Sequence, residues 1–260
     1  MKKVSLLQTD LNNKLSVHIF RYEDIEPSVL ADCTVSLSIA ERERAAQFNA
    51  TRREQYIYER GCLRALLAER IQCKAAQINI EIADTGKPYV ASIDGTDQKV
   101  TTDWKFNLSH SGQVFAIALS KLGDIGVDLD TSDRSNRLEA IAEYSFSEKE
   151  NALLAKAKDE SEHSYKQKFI QLWTAKEAIG KLLGKGINKT FLQNSLLIKQ
   201  NSITANSTWL KQEVCFGNFE LAPYSLSIEV YGSVIPEISI YDSLAKGSKE
   251  TKGETWQQLI

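Results

Sequence analysis

The sequence predicts an α+β protein built as two halves, each a small antiparallel sheet packed with helices. Three observations carry this reading. Helix-start signatures pairing Ser with Glu three residues on occur at Ser38 and Glu41 and again at Ser147 and Glu150. Short runs with a period of two, the spacing of half-buried strands, separate the helical stretches. Landmarks also recur: Ser36–Glu41 with Ser145–Glu150, Arg60–Leu67 with Lys176–Leu183, and Ala116–Ser120 with Leu226–Val230, at offsets of 109, 116 and 110. Near-constant offsets are the mark of a duplicated unit, and a cleft between two such halves is the usual place for a ligand.

In order along the chain, 15–20 (LSVHIF) alternates as an opening strand, with His18 a half-buried member of it. A helix starts at Ser38. Thr51 and Glu54 repeat the signal and open a second helix through Ala68, whose exposed side carries Arg52, Arg53, Arg60 and Arg64. Clustered guanidiniums either sit in solvent or hold phosphate. Asp84–Tyr89 (DTGKPY) reads as a turn and 93–103 as loop. Asn107–Gly112 reads as a small-residue loop leading into Val114–Leu119, an apolar run suited to a strand buried on both faces.

After a turn at Lys121–Asp124, Ile125–Asp130 is expected to return as the hairpin partner of that strand. Its alternation sends Val127 and Leu129 one way and Asp128 and Asp130 the other, with Cα atoms about 6.6–6.8 Å apart. Asp is disfavoured in strands, and two on one face repel. A solvated edge would tolerate them; a shared divalent cation would explain them, since Mg²⁺ is commonly held by one or two carboxylates plus phosphate and water. Ser147 then opens a helix through Lys158, His163 falls in a polar connection, and a long helix runs from about Tyr165. Three strand-like runs follow (FLQNSLLIK, EVCFGNFE, YSLSIEVYG), then a polar tail at 245–260 docked by Trp256.

The long helix ends in WTAKEAIGKLLGKG, 173–186. Leu172, Ala175, Ile179 and Leu183 form its buried stripe, while Trp173, Glu177 and Lys181 stack one turn apart on a neighbouring face. Glu four residues before Lys is either an ordinary surface pair, worth about 0.2–0.5 kcal/mol, or part of a working site. Gly184 and Gly186 stop the helix.

Composition narrows the function. The 260 residues carry a net charge of −2, with a pI near 6.0, which argues against a general nucleic-acid binder. No run approaches the ~20 apolar residues that span a bilayer, and Val4–Leu7 is too short an apolar run for a signal peptide. Four cysteines and three histidines show no metal-ligand spacing. A cytoplasmic protein with free thiols is expected.

With Gly126-Val127-Asp128-Leu129-Asp130 and Trp173-Thr174-Ala175-Lys176-Glu177-Ala178-Ile179-Gly180-Lys181 in that order, the chain resembles the 4′-phosphopantetheinyl transferases of the large surfactin-synthetase-activator type. Gly86-Lys87-Pro88, Phe106–Ser111 and Phe146-Ser147 extend the resemblance over roughly 36–232. It implies pseudo-twofold halves with coenzyme A between them, here 1–122 and 123–244 ahead of the 245–260 tail. It implies Mg²⁺ on Asp128, Asp130 and Glu177, and Lys181 on the diphosphate. Ser109, His110, Lys87, Arg60 and, more weakly, Arg44 are implied as coenzyme A phosphate contacts. The second acid of the motif is often Glu, so the shorter Asp130 is expected to reach a metal through water. The implied reaction moves phosphopantetheine from coenzyme A to a serine of an apo acyl or peptidyl carrier protein and releases adenosine 3′,5′-bisphosphate. Glu177 is base or ligand in that reading. Duplication within one chain can supply the cleft that two subunits would otherwise build, so a monomer is expected, and the charge and apolar content point to no nucleic-acid or membrane partner. The alternatives are a non-catalytic coenzyme A or carrier-protein binder and a different Mg²⁺-dependent phosphoryl transferase.

Overall fold

The computed structural model describes residues 14–95, 102–131, 137–184, 186, 196–199, 202–205, 214–221, 223–231, 238–242 and 249–252. The first half contains β1 (Leu15–Arg21), α1 (Pro27–Ser36), α2 (Ile39–Ala46), α3 (Ala50–Ile71), β2 (Ile78–Ile82), β3 (Pro88–Ile93), β4 (Lys105–Ser111) and β5 (Val114–Ser120). The second contains β6 (Ile125–Thr131), α4 (Leu138–Ser145), α5 (Glu148–Glu160), α6 (Glu162–Leu183), β7 (Leu196–Lys199), β8 (Ser202–Ala205), β9 (Val214–Leu221) and β10 (Tyr224–Tyr231). Two further strands, β11 (Ser239–Asp242) and β12 (Lys249–Lys252), follow.

The duplication is visible in the pairing. One sheet runs β12-β11-β1-β5-β4 and the other β6-β10-β9-β8-β7, with β2 and β3 as a separate hairpin. The triplets β1-β5-β4 and β6-β10-β9 are antiparallel throughout, and both β1/β6 and β5/β10 begin 110 residues apart. The long helices begin at 50 and 162, an offset of 112. The 116 suggested by matching RGCLRALL to KEAIGKLL is therefore one helical turn out of step. Both Ser-Glu signatures form reciprocal capping boxes, at Ser38 with Glu41 and at Ser147 with Glu150. Each box glutamate also takes a buried cation from the long helix of its half: Arg64 Nε lies 2.7 Å from Glu41 and Lys176 Nζ 2.8 Å from Glu150. Arg64 and Lys176 are themselves 112 apart, so the ion pair and the helix bounds agree on the register.

Several local expectations change. Asn49, not Thr51, caps α3, its side chain accepting from the Arg52 N–H at 2.9 Å. Helix α1 was not foreseen. Ser161 caps α6, which places His163 in its first turn rather than in a connection. Leu182, not Leu183, completes the buried stripe of α6. Gly184 ends that helix at φ +65°, a left-handed backbone that favours glycine. Lys249–Lys252, expected in a loose tail, pairs with β11, and β11 runs parallel beside β1, so this late segment joins the first sheet. Trp256 lies outside the described residues.

The inward faces of both sheets meet in one apolar core. Leu15, Val17 and Ile19 of β1 and Val114, Ala116 and Ala118 of β5 pack there with Val127 and Leu129 of β6 and Leu226 and Ile228 of β10. The other face of β5, Phe115, Ile117 and Leu119, fills a second core with α1 and α3, so β5 is buried on both faces as expected. The expected β5–β6 hairpin does not form. Strand β5 already has β1 on one edge and β4 on the other, which leaves β6 to head the second sheet.

The seam between the sheets is made by side chains. On β4, Asn107 Oδ1 accepts from the Val127 N–H and Ser109 Oγ from the Leu129 N–H, both at 3.1 Å. Asn107–Gly112, expected as loop, is strand as far as Ser111: Asn107 and Ser109 satisfy the β6 backbone and Ser111 the Asp130 side chain.

Candidate active site

The face of β6 and β10 turned away from the shared core is polar and buried. Asp128 stands opposite Ser227 and Asp130 opposite Ser225. Asn218 of β9 donates to both serines, at 3.1 and 2.9 Å, and Thr174 of α6 meets Ser227 at 2.8 Å. Helix α6 lies directly on this face. A Cβ placed on Gly126 would sit 1.9 Å from the Ala178 carbonyl, so only glycine permits the approach.

Asp128 and Asp130 are 7 % and 3 % exposed, which rules out the solvated-edge explanation for them. Ser109 donates to Asp128 Oδ1 and Ser111 to Asp130 Oδ1, each at 2.7 Å. Lys181, reaching across from α6, donates to the same Asp128 oxygen at 2.8 Å and to the Val127 carbonyl at 3.0 Å. Burial raises the Asp128 carboxyl above the usual aspartate range despite this ammonium and the Ser109 hydroxyl, with the Asp130 charge adding to the rise.

The neighbouring lysine of the motif has a different task. Lys176 is fully buried, tied to Glu150 and set over the Phe146 ring at 5.4 Å. Burial lowers its pKa. It anchors α6 to α5, whereas Trp173, Glu177 and Lys181 share the half-exposed side of the helix, as their spacing predicts.

The expected phosphate contacts scatter. Lys87 donates to the Leu182 carbonyl at 3.2 Å, lies 3.4 Å from Asp124, and has its pKa lowered by burial. It lines a cavity of about 170 Å³ with Trp104, Lys105 and Asp124. Arg60 is drawn onto Glu41 at 2.8 Å. Ser109 is buried in the seam, serving Asp128 and the β6 backbone, while His110 beside it is exposed. Arg44 is exposed, bonded to Gln47 and set over the Phe48 ring.

The donors suit a hard cation in kind: carboxylate oxygens, buried and side by side, one of them already holding an ammonium. Among the described residues, however, no three His, Cys, Asp or Glu side chains stand close enough to enclose an ion. Glu177 lies on the half-exposed side of α6, one turn before Lys181. A pair of carboxylates still fits Mg²⁺, which takes its remaining ligands from substrate phosphate and water.

Glu229 was missed. It is fully buried on the same polar face, and burial, then the Asp128 charge, raise its carboxyl well above the usual range, with Lys181 opposing. Its signal was the polar alternation Ser225, Ser227, Glu229 in a strand otherwise apolar.

Two halves of like topology thus place buried acids and a lysine together on the second. The comparisons give the family. Residues 124–228 match the 4′-phosphopantetheinyl transferase superfamily and residues 26–122 its N-terminal type, "4′-phosphopantetheinyl transferase, N-terminal". The chain is 33 % identical to the 4′-phosphopantetheinyl transferase HetI of Nostoc sp. over 66 % of its own length and 70 % of the relative's. It is 33 % identical to a putative 4′-phosphopantetheinyl transferase of Synechocystis sp., over 58 % of each chain. A 4′-phosphopantetheinyl transferase of Bacillus pumilus is likewise 33 % identical, over 48 % of each. The chain belongs to the 4′-phosphopantetheinyl transferase superfamily, a family of transferases.

Proposed function

We propose that this protein transfers the 4′-phosphopantetheine group of coenzyme A to a serine of an apo carrier protein. The observation that carries the reading is the Asp128–Lys181 contact on a buried polar face that also holds Asp130. In the reaction the serine oxygen bonds to the β-phosphorus, the bond from that phosphorus to the bridging oxygen breaks, and adenosine 3′,5′-bisphosphate departs. Asp128 and Asp130 would hold a divalent cation, Mg²⁺ by their oxygen-only chemistry, which when bound neutralises diphosphate oxygens. Ser109 and Ser111 fix the two carboxylates in place by donating to them.

Lys181 meets the charge that develops on the departing phosphate, as a preorganised cation at the edge of the site. Glu177, one turn before it on α6, would accept the serine proton at its carboxylate or join the aspartates as a ligand; general-base help is typically worth 10²–10⁴-fold. Lys87, at the seam beside the small cavity, and the exposed His110 are the expected residues best placed to meet phosphates of coenzyme A. Arg60 would have to leave Glu41 to do so. The seam between halves 1–122 and 123–244 is the proposed coenzyme A site.

The test is a panel of apo carrier proteins from fatty-acid, polyketide and peptide synthases, each incubated with coenzyme A, Mg²⁺ and the full chain, then weighed. A mass gain of one phosphopantetheine group on at least one carrier is expected. No gain on any, with coenzyme A binding intact by calorimetry, would instead make the protein a binder.

A further inference from the structure

Glu229 stands out because no group among the described residues satisfies it. Its side chain is fully buried, and among the described residues neither Oε1 nor Oε2 has a hydrogen-bond partner. A carboxyl group placed in the interior without partners destabilises the fold unless another state supplies them. Its place in the sheet says what that partner is. Glu229 pairs across the strands with Gly126, and lies two residues from Ser227, which stands opposite Asp128. Gly126 contributes no side chain, and the Ala178 and Leu182 backbone of α6 lies over it, so the carboxyl sits beneath the turn of helix that carries Lys181. Of the neighbouring charges, that of Asp128 raises the Glu229 carboxyl and that of Lys181 opposes the rise. Of these only Lys181 is a cation.

Lys181 has two demands on it. It holds the Asp128 carboxylate through Oδ1 at 2.8 Å, and a second cation on that carboxylate would be repelled by the ammonium. We infer that Glu229 is a positioning residue that offers the Lys181 ammonium a second seat, freeing Asp128 for the divalent cation while keeping the lysine at the site. The inference rests on the reading of Asp128 as a cation ligand.

The experiment measures Mn²⁺ binding to the full chain by titration calorimetry and electron paramagnetic resonance, without coenzyme A or carrier protein. Four proteins are compared: wild type, Glu229→Gln, Lys181→Met and the double variant. Wild type is expected to bind, and Lys181→Met to bind more tightly, since the competing ammonium is gone. Glu229→Gln should weaken binding about 10-fold where Lys181 is present, the size of an ordinary coupling between sites, and leave it nearly unchanged in the Lys181→Met background. An equal loss in both backgrounds would show that Glu229 acts without Lys181, and no loss in either would remove its role; both outcomes overturn the inference while leaving the metal reading standing. Failure of wild type to bind Mn²⁺ would overturn the metal reading itself and the inference with it. Should Glu229→Gln not fold, Glu229→Met serves in its place, with the same binding pattern and a raised melting temperature expected because no polar group is left buried.

Discussion

The two sheets share a topology and differ in what they bury on the face under the long helix. At an offset of 110, Phe115, Ile117 and Leu119 of β5 correspond to Ser225, Ser227 and Glu229 of β10, while His18 and Phe20 of β1 correspond to Asp128 and Asp130 of β6. In the first half the face is filled by stacked rings, Phe20 against Phe115 at 4.8 Å and Tyr22 against Phe115 at 5.3 Å. In the second it holds hydroxyls and carboxylates that are just as buried. Removing apolar surface from water stabilises by roughly 25 cal/mol per Å², whereas a buried carboxylate costs free energy unless it is paired. The first half thus supplies stability, and the second carries the polar cost of a site. A duplicated scaffold lets one copy offset what the other spends on chemistry.

The sharpest way to break this contrast is to exchange equivalent positions. Asp128→Asn should lower transfer by roughly 10²–10³-fold, the range seen when one preorganised electrostatic group is removed, with little change in folding. Its counterpart His18→Ala should act the other way. His18 is buried and stacked on Tyr241 at 4.7 Å, so denaturant midpoints should fall while transfer by the folded protein is kept. Equal loss of transfer in both would end the division of labour.

A second pair tests where the halves are alike. Arg64→Met and Lys176→Met each take a buried cation from a capping-box glutamate. Breaking a buried pair costs about 3–5 kcal/mol, and urea denaturation should show losses of similar size in both. In Arg64→Met, Arg60 stays on Glu41, while the Ala75 and Ile78 carbonyls lose their Arg64 donor. A Lys176→Met protein of full stability would return that lysine to the catalytic candidates.

Gly126→Ala probes the close approach that the first half does not make, since Ser16 carries a side chain at the equivalent position and is fully buried. The added methyl group would meet the Ala178 carbonyl and force α6 off β6. Overpacking of this kind costs about 1–3 kcal/mol, and transfer should drop as Lys181 moves with the helix. Unchanged stability and transfer would mean that α6 does not depend on this contact.

The smallest effects are in pH dependence, where the halves have opposite signs. Burial, aided by Arg70, lowers the His18 pKa from 6.5 to about 3. The native state there binds fewer protons than the unfolded chain, so stability rises with pH across that window. Glu229 is raised from 4.5 by burial and Asp128. Its native form keeps a proton that the unfolded chain releases, so stability falls as pH rises above 4.5 toward the folded value. Urea midpoints over a pH series should show Glu229→Gln flattening the fall and His18→Gln flattening the acid rise. A fall that persists in Glu229→Gln would have to come from another raised acid, with Asp128 the first candidate.

Local rules in the sequence determined much of this protein. Capping boxes at Ser38 and Ser147, the stop at Gly184 and the inward and outward alternation of Val127, Asp128, Leu129 and Asp130 depend on residues within a few positions of one another, and all of them form as read. The motif pair 126–130 and 173–181 likewise identified the family before any distance was known. Tertiary structure decided the rest. Nothing near Ile125 says that β5 has no free edge, nothing near Asn107 says that its side chain will satisfy a backbone on another strand, and nothing near Lys176 separates its buried partner Glu150 from the open task of Lys181. Those assignments depend on which elements lie side by side. Pairing and burial bring together residues far apart in the chain, and they alone showed Glu229 to be an enclosed acid beneath the helix that carries Lys181.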